Sequence, residues 1–302
     1  MKCYHPIKGY RTSSGVVFSE LGRYDILGDI EIRCGQCIGC RERRASDWTL
    51  RVMHEASLWP ENCFVTLTYG RDKLPPDGSL EHRDFQLFMK RVRKHFRKPV
   101  RFYMCGEYGP LNFRPHYHAC LFNVDFRSDR VPSGKSKSGE VFFDSPTLER
   151  LWSHGRVSVQ DLTQETAGYC ARYIMKKRLG ILSEADMAAY VTDDGVIRRR
   201  EYAAMSLKPG IGAEWYKKYG WSDVHRHDVA IADGSRRPPP RYYDKLMRRS
   251  GNVKMDEIEF AREQRARKSQ DENTPERLRA QEIVHSARIA TLTRGDVGDD
   301  AS

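Results

Sequence analysis

The sequence lacks any apolar run approaching the roughly 18 residues that a membrane-spanning helix requires, and its mean hydropathy is -0.70. Its first residues, MKCYHP, lack the apolar core of a secretory signal peptide. It contains no internal repeat of the kind that builds solenoids and propellers. With these classes excluded, its 302 residues predict a soluble cytoplasmic protein of about two domains, or one elaborated domain with a tail.

Acidic residues are outnumbered, because the chain has 41 Asp and Glu against 52 Lys and Arg and a net charge of +11. Residues 254–302 are almost balanced, with 9 basic and 11 acidic side chains. The excess of positive charge therefore belongs to the part of the chain that precedes them. A cationic folded surface indicates contacts with phosphate groups, so we expect an anionic partner.

Hydrophobic periodicity predicts an α+β fold. The predicted helices are 46–58, 82–97, 145–152 and 163–177, and the predicted strands are 62–69, 100–107, 116–123 and 156–160. Strands 100–107 and 116–123 flank a Gly-Pro turn and are typical of a hairpin, so the sheet should be at least partly antiparallel. Residues 127–140 are rich in Gly, Ser and Lys and predict a mobile insertion.

A histidine pair, His116 and His118, marks the second strand of the predicted hairpin. Alternate residues of a strand point to the same face, so both imidazoles should point the same way. Glu107 ends the preceding strand and can approach them across the hairpin. Two imidazoles and one carboxylate suit a divalent ion with open positions for water or phosphate. An exposed strand with incidental histidines is the alternative.

Two tyrosines, Tyr169 and Tyr173, are spaced to share one face of the predicted helix 163–177. Lys176 and Lys177 flank them and favour a cationic, hydrated face over the alternative of core aromatics. A phenol with a pKa near 10 is a poor nucleophile. Nearby lysines and a metal ion on the target phosphate can compensate. Attack on a DNA phosphodiester would link the tyrosine to the strand and allow resealing without ATP.

These motifs resemble the HUH endonucleases that initiate rolling-circle replication, in particular the initiators of gokushovirus-like single-stranded DNA phages of the Microviridae. The resemblance covers roughly residues 1–250. It rests on the ordered motifs FVTLTY at 64–69, CGEYG at 105–109, RPHYH at 114–118, GYCARYIMKK at 168–177, MSLKPGIGAEW at 205–215 and PPPRYYDKL at 238–246.

The resemblance implies an RRM-like core with a central, largely antiparallel sheet flanked by helices. It assigns metal ligation by Mg²⁺ or Mn²⁺ to Glu107, His116 and His118. It makes Tyr169 and Tyr173 the first and second nucleophiles, followed by the catalytic basic residues Lys176 and Lys177. The residue between the histidines is Tyr117 rather than a small hydrophobe, and it should point away from the metal.

The function implied is site-specific nicking and joining of a single-stranded DNA origin through a 5′-phosphotyrosyl intermediate. Host helicase and polymerase would be partners in the host bacterial cytoplasm, with no membrane association. Two alternatives stay open. One is a transposase or relaxase with the same chemistry, and the other is a non-catalytic, zinc-stapled module that binds single-stranded nucleic acid.

Four of the 8 cysteines lie within the first 40 residues. Cys34, Cys37 and Cys40 have C-x2-C-x2-C spacing, and Cys3 is the best fourth ligand for a structural zinc, ahead of His5. An iron–sulfur cluster is a rival, although Arg44 stands where a ferredoxin-type motif would continue with cysteine, and free thiols are a third reading. The other four cysteines lie in apolar stretches and predict simple packing.

The predicted organisation has four segments. They are a Cys-rich N-terminal segment with the candidate zinc site (1–45), the HUH nuclease core (46–180), an accessory region packed on the core (181–250) and a polar, helical to disordered tail (251–302).

Overall fold

The computed structural model describes residues 2–19, 22, 25–109, 112–136, 139–176, 187–188, 190–192, 194–232, 234–268 and 270–291. The described strands are β1 (Ile7–Thr12), β2 (Gly15–Val17), β3 (Ile26–Ile32), β4 (Asn62–Thr68), β5 (Arg101–Tyr108), β6 (Pro115–Phe122), β7 (Val131–Lys135), β8 (Val141–Asp144), β9 (Val157–Asp161), β10 (Tyr202–Met205), β11 (Ala230–Ala232) and β12 (Ser235–Arg237). The described helices are α1 (Ile38–Ala56), α2 (His82–Phe96), α3 (Pro146–Trp152), α4 (Gln164–Lys176), α5 (Ala213–Gly220), α6 (Arg241–Arg249), α7 (Lys254–Lys268) and α8 (Pro275–Thr291).

The chain divides into two compact units. The first comprises residues 1–44 and 256–293, and the second contains residues 45–255. The first unit holds a three-stranded sheet of order β2-β1-β3 and the helices α7 and α8. The second holds a seven-stranded sheet of order β10-β5-β6-β4-β9-β8-β7, in which the neighbouring strands that pair are antiparallel. The predicted α+β fold with an antiparallel sheet is confirmed.

Both faces of the large sheet are covered by helices. On one face, α2 and α3 bury Phe85, Phe88 and Trp152 against the strands. On the other, α1 and α4 contribute Val52 and Cys170 to a second cluster. Strand β6 lies between these layers, and all of its residues are buried. Burial on both faces explains why the central strands are apolar at almost every position.

The local signals for α3 act as the sequence predicts. The Ser145 side chain accepts a hydrogen bond from the Leu148 amide at 3.1 Å, and Pro146 occupies the first turn. This arrangement satisfies an amide that the helix itself cannot pair.

Two predictions about local structure were wrong in extent. Helix α1 begins at Ile38 instead of residue 46, because its first turns carry cysteines and arginines without an apolar stripe. Residues 131–135, within the predicted insertion, form the edge strand β7. Every residue of β7 is exposed, so it has no alternation of apolar and polar side chains that could reveal it. None of the described helices combines the length and apolar character needed to cross a membrane.

Candidate functional site

The strand pairing of β5 with β6 brings three of the predicted ligands together. Glu107 stands directly opposite His116, and Cys105 stands opposite His118. Because alternate residues share a face, the carboxylate lies beside both imidazoles. The candidate ligand atoms of Glu107, His116 and His118, hereafter the acid–histidine cluster, all lie within 4.8 Å of one another.

The distances within the acid–histidine cluster suit a metal ion. Oε1 of Glu107 lies 2.8 Å from Nε2 of His116 and 2.9 Å from Nε2 of His118. Ligands at about 2.1 Å in adjacent positions of an octahedron are separated by about 3.0 Å. The two imidazole rings are almost perpendicular, at 89°, so they approach the carboxylate from different directions.

The charge of Glu107 also fits a cation. Burial by itself raises the pKa of this carboxyl, but the charge of His118 and the hydrogen bond from His116 outweigh burial and hold the pKa below its usual value. Its second oxygen, Oε2, is buried and has no hydrogen-bond partner among the described residues. A buried carboxylate with an unpartnered oxygen is costly unless a cation compensates it. The donor set therefore fits a divalent ion such as Mg²⁺ or Mn²⁺.

Two outer contacts orient the imidazoles. Nδ1 of His116 lies 3.1 Å from the carbonyl oxygen of Arg114, and Nδ1 of His118 lies 3.0 Å from Oγ1 of Thr66. Thr66 belongs to β4 and stands opposite His118 in the β4–β6 pairing. Such contacts leave Nε2 of each ring directed toward the ligand position. Sequence reasoning missed Thr66, although its signal was a hydroxyl inside the otherwise apolar run Phe64–Leu67.

Tyr169 lies over this cluster. It belongs to α4, and its hydroxyl donates a hydrogen bond to Oε1 of Glu107 at 3.4 Å. Its ring meets the His118 ring edge-on, with centroids 4.9 Å apart, and contacts Phe64 at 6.2 Å. The side chain is only partly buried. Helix α4 is held in this place by Ala167 and Cys170, which are buried in the second cluster.

The other predicted residues of α4 lie at the limit of the described structure. The backbone of Tyr173 and Lys176 belongs to α4, which ends at Lys176. The side chains of these two residues, and all of Lys177, lie outside the described residues.

Tyr117 occupies the opposite face of β6. Its side chain is fully buried in the cluster formed with α2 and α3. Its hydroxyl donates to the carbonyl of Glu81 and accepts from the Glu81 amide, both at 2.8 Å. The residue between the two histidines therefore has a packing role, away from the acid–histidine cluster.

The N-terminal cysteines form a second group of ligands, hereafter the Cys cluster. It consists of Cys3, Cys34, Cys37 and Cys40. The sulfur of Cys34 lies 3.6 Å from that of Cys3 and 3.9 Å from that of Cys40, and the sulfurs of Cys37 and Cys3 are 4.0 Å apart. Four thiolates bound to zinc at about 2.3 Å would have sulfurs separated by about 3.8 Å.

Backbone amides support the sulfurs of the Cys cluster. The amides of Gln36 and Cys37 donate to the Cys34 sulfur at 3.4 and 3.3 Å, and the Tyr4 amide donates to the Cys37 sulfur at 3.3 Å. Burial raises the pKa of the Cys34 thiol, but these amides and the neighbouring thiols outweigh burial and lower the pKa to about 7. Amide donors stabilise a thiolate, which is the form that binds metal.

The remaining four cysteines are packing residues, as the sequence predicts. Cys63, Cys105, Cys120 and Cys170 are almost completely buried. Burial raises the pKa values of Cys63, Cys105 and Cys170 well above the ordinary value, so these thiols stay protonated.

Comparison with known proteins gives consistent results. A family model for replication-associated proteins of the ORF2 type matches residues 62–178. The chain is 32% identical over 292 residues to replication-associated protein VP4 of Bdellovibrio phage phiMH2K, covering 89% of this chain and 87% of that protein. It is 28% identical to replication-associated protein ORF2 of Spiroplasma virus 4, covering 98% and 93%. It is 27% identical to replication-associated protein ORF4 of Chlamydia phage 1, covering 76% and 59%. No solved structure matches.

Proposed function

Since the chain belongs to the replication-associated proteins of Microviridae-like phages, we propose that it initiates rolling-circle replication as a metal-dependent, site-specific, single-stranded DNA endonuclease and strand transferase. The observation that carries this proposal is the position of the Tyr169 hydroxyl, 3.4 Å from the Glu107 oxygen that also faces both histidines. A nucleophile at hydrogen-bond distance from a candidate metal ligand is placed to attack a phosphate bound at the open side of that metal.

Each residue has a defined part in this chemistry. Glu107, His116 and His118 would hold Mg²⁺ or Mn²⁺, which when bound polarises the scissile phosphate and orients it. The Tyr169 oxygen forms a bond to phosphorus while the bond from phosphorus to the 3′ oxygen breaks. The phenol loses its proton to solvent, and the departing oxygen gains one to become a 3′-OH for host polymerase. The 5′ phosphate stays on the tyrosine.

Tyr173, Lys176 and Lys177 complete the proposal by resemblance to the family. Tyr173 would cut the regenerated origin after one round, so that the two strand ends can be joined. Lys176 and Lys177 would balance the negative charge of the attacked phosphate. The protein would act on DNA in the host bacterial cytoplasm, together with host helicase and polymerase.

The test is covalent capture of DNA by the purified full chain. Labelled single strands that tile the phage genome are incubated with Mg²⁺, Mn²⁺ or EDTA, and SDS-resistant adducts are counted. We expect one sequence to form a metal-dependent adduct. Tyr169→Phe or Tyr173→Phe should reduce the adduct, and the double variant should abolish it. Tyr219→Phe changes an exposed tyrosine and serves as the control.

The alternatives predict different results in the same experiment. An adduct that persists in the double variant rejects the tyrosine assignment. Reversible binding without any adduct favours the non-catalytic binding module. A sequence-specific adduct outside the replication origin favours a transposase or relaxase.

We also propose that the Cys cluster binds a structural zinc ion. Four sulfurs at tetrahedral spacing with amide donors match the four-coordinate structural zinc sites of other proteins. Metal analysis of the purified protein should find one zinc per chain. Iron with visible absorbance would identify the rival iron–sulfur cluster, and the absence of metal would identify free thiols.

A further inference from the structure

A buried hydroxyl stands beside the acid–histidine cluster without belonging to it. Thr66 lies in the middle of β4, between Val65 and Leu67, which are fully buried. Valine has the same shape as threonine and would suit this apolar strand without a polar group to satisfy. The hydroxyl is instead paired with Nδ1 of His118 at 3.0 Å. Its place is therefore explained by the imidazole and not by the packing of the strand.

The two histidines have different outer partners. The Arg114 carbonyl at Nδ1 of His116 can only accept a hydrogen bond, so that nitrogen carries a proton. The Thr66 hydroxyl can either accept or donate. When it accepts from Nδ1–H, the Nε2 lone pair of His118 faces the ligand position. When it donates to Nδ1, Nε2 carries the proton toward Glu107. A hydroxyl thus supports His118 both with and without a metal ion.

We infer that Thr66 is a positioning residue for the divalent ion, an inference that rests on the proposed function. It acts through His118, by holding the ring in the orientation and tautomer that present Nε2 to the metal. A valine would keep the shape of the side chain but leave Nδ1 of a buried imidazole without this partner. The ring would then lose both its orientation and its basicity.

The experiment measures Mn²⁺ binding directly, by electron paramagnetic resonance of free Mn²⁺ in a titration of the full chain. We expect Thr66→Val to weaken Mn²⁺ binding by about 10- to 100-fold, while Thr66→Ser restores it to within about threefold. Thr49→Val is the control, because the hydroxyl it removes is also buried but bonds the Ala45 carbonyl. Thermal unfolding without metal reports folding separately, and a merely structural role would move that temperature alone.

The outcomes separate this inference from the proposed function. If the unchanged protein binds Mn²⁺ and Thr66→Val binds it equally well, the role of Thr66 is rejected while the metal site stands. If the unchanged protein does not bind Mn²⁺, the metal site and the role of Thr66 are both rejected.

A separate observation concerns the first unit, where residues next to the Cys cluster contact α8. The Tyr4 hydroxyl lies 2.8 Å from Nδ1 of His285, and Nε2 of the same ring lies 3.0 Å from the Glu42 carboxylate. A carboxylate accepts from Nε2–H, so Nδ1 of the neutral ring accepts from the tyrosine hydroxyl. His5 adds a contact of 2.7 Å to Glu282. Tyr4 follows Cys3 in sequence, and Glu42 lies close after Cys40.

The N-terminal segment also lies tightly on the Cys cluster. A Cβ atom at Gly39 would come within 2.1 Å of the Lys2 carbonyl oxygen. This close approach, together with the Tyr4 amide bond to the Cys37 sulfur, fixes the segment that carries Tyr4. Its position therefore depends on the bonds that Cys3 and Cys37 make.

From these contacts we infer that the metal ion of the Cys cluster fastens helix α8, which rests on the zinc site proposed above. Without the ion, Cys3 would be released, and Tyr4 would no longer be held opposite His285. The sequence separation of 281 residues between Tyr4 and His285 makes this a link between the two ends of the described chain.

Hydrogen exchange of the full chain, with and without a zinc chelator, tests this link. Chelation should speed exchange in α8 by about tenfold or more, while β4–β6 are unchanged. His285→Ala should keep the zinc yet speed exchange in α8 by about fivefold. Ile283→Ala alters an exposed side chain of the same helix and should have no effect.

Zinc that can be removed without any change in α8 would reject the link but leave the zinc site intact. A protein that contains no zinc would reject both.

Discussion

The Cys cluster and the acid–histidine cluster differ in how many ligands they offer. The Cys cluster supplies four soft sulfur atoms, which is the complete set for a tetrahedral ion. The acid–histidine cluster supplies three harder atoms and has the Tyr169 hydroxyl beside it. Burial does not separate them, since each cluster includes buried residues. The ligand count does: a complete set indicates a structural ion, and an incomplete set beside a nucleophile indicates a reactive one.

The comparison would break most sharply at Glu107. Glu107→Gln keeps the shape of the side chain but removes the charge that faces both histidines, so we expect covalent adduct formation to fall by about a thousandfold or more. The zinc content should stay at one per chain. Adduct yield with Mn²⁺ and metal analysis of the same sample measure the two effects. Nicking that survives within tenfold would remove Glu107 from the site.

The reciprocal change lies in the Cys cluster. Cys37→Ser should abolish zinc binding and lower the free energy of unfolding by about 4 kcal/mol or more, because the ion contributes to folding directly. Denaturant unfolding followed by hydrogen exchange should place the loss in residues 2–44 and 256–291. Adduct formation per folded molecule should stay within about tenfold. A variant that keeps full stability would show that the thiols have no structural ion.

A histidine outside both clusters sharpens the comparison by showing what burial alone does to an imidazole. His54 is stacked on Trp215, with ring centroids 3.4 Å apart, and burial lowers its pKa to about 4. The unfolded chain takes up a proton on this residue as the pH falls below about 6.5, whereas the folded chain does not until about 4. Stability is therefore fully present above pH 6.5 and is lost between these values.

The expected loss from His54 is about 2 kcal/mol. His54→Phe keeps the stacking but cannot be protonated, so its unfolding free energy should depend less on pH over this window. Denaturant titrations at pH 6.5 and 4.5 of both proteins measure the difference. Identical pH dependence of the two proteins would contradict the assignment.

The sequence predicts the elements and contacts that arise from local periodicity. Alternation along β6 places His116 and His118 on one face, and a short hairpin suffices to bring Glu107 to them. The spacing of Cys34, Cys37 and Cys40 is likewise local. These features need no knowledge of distant strand pairing.

The remaining features depend on contacts between distant segments. The bond between Thr66 and His118 requires the register of β4 on β6, across 52 residues of sequence. The contact of Tyr4 with His285 spans almost the whole chain. The exposed strand β7 has no apolar alternation at all. Periodicity reports burial within one element, so it cannot reveal partners that only the tertiary arrangement selects.

The complete burial of β6 has a consequence for how this protein can change over generations. A single inserted or deleted residue in that strand would exchange its two faces, sending Tyr117 into the ligand position and the imidazoles into the apolar layer under α2. Chemistry and foldability would be lost in one event. Diversification among related phages should therefore concentrate in the connecting loops, and chimeras with exchanged loops should remain functional where chimeras joined inside β6 do not.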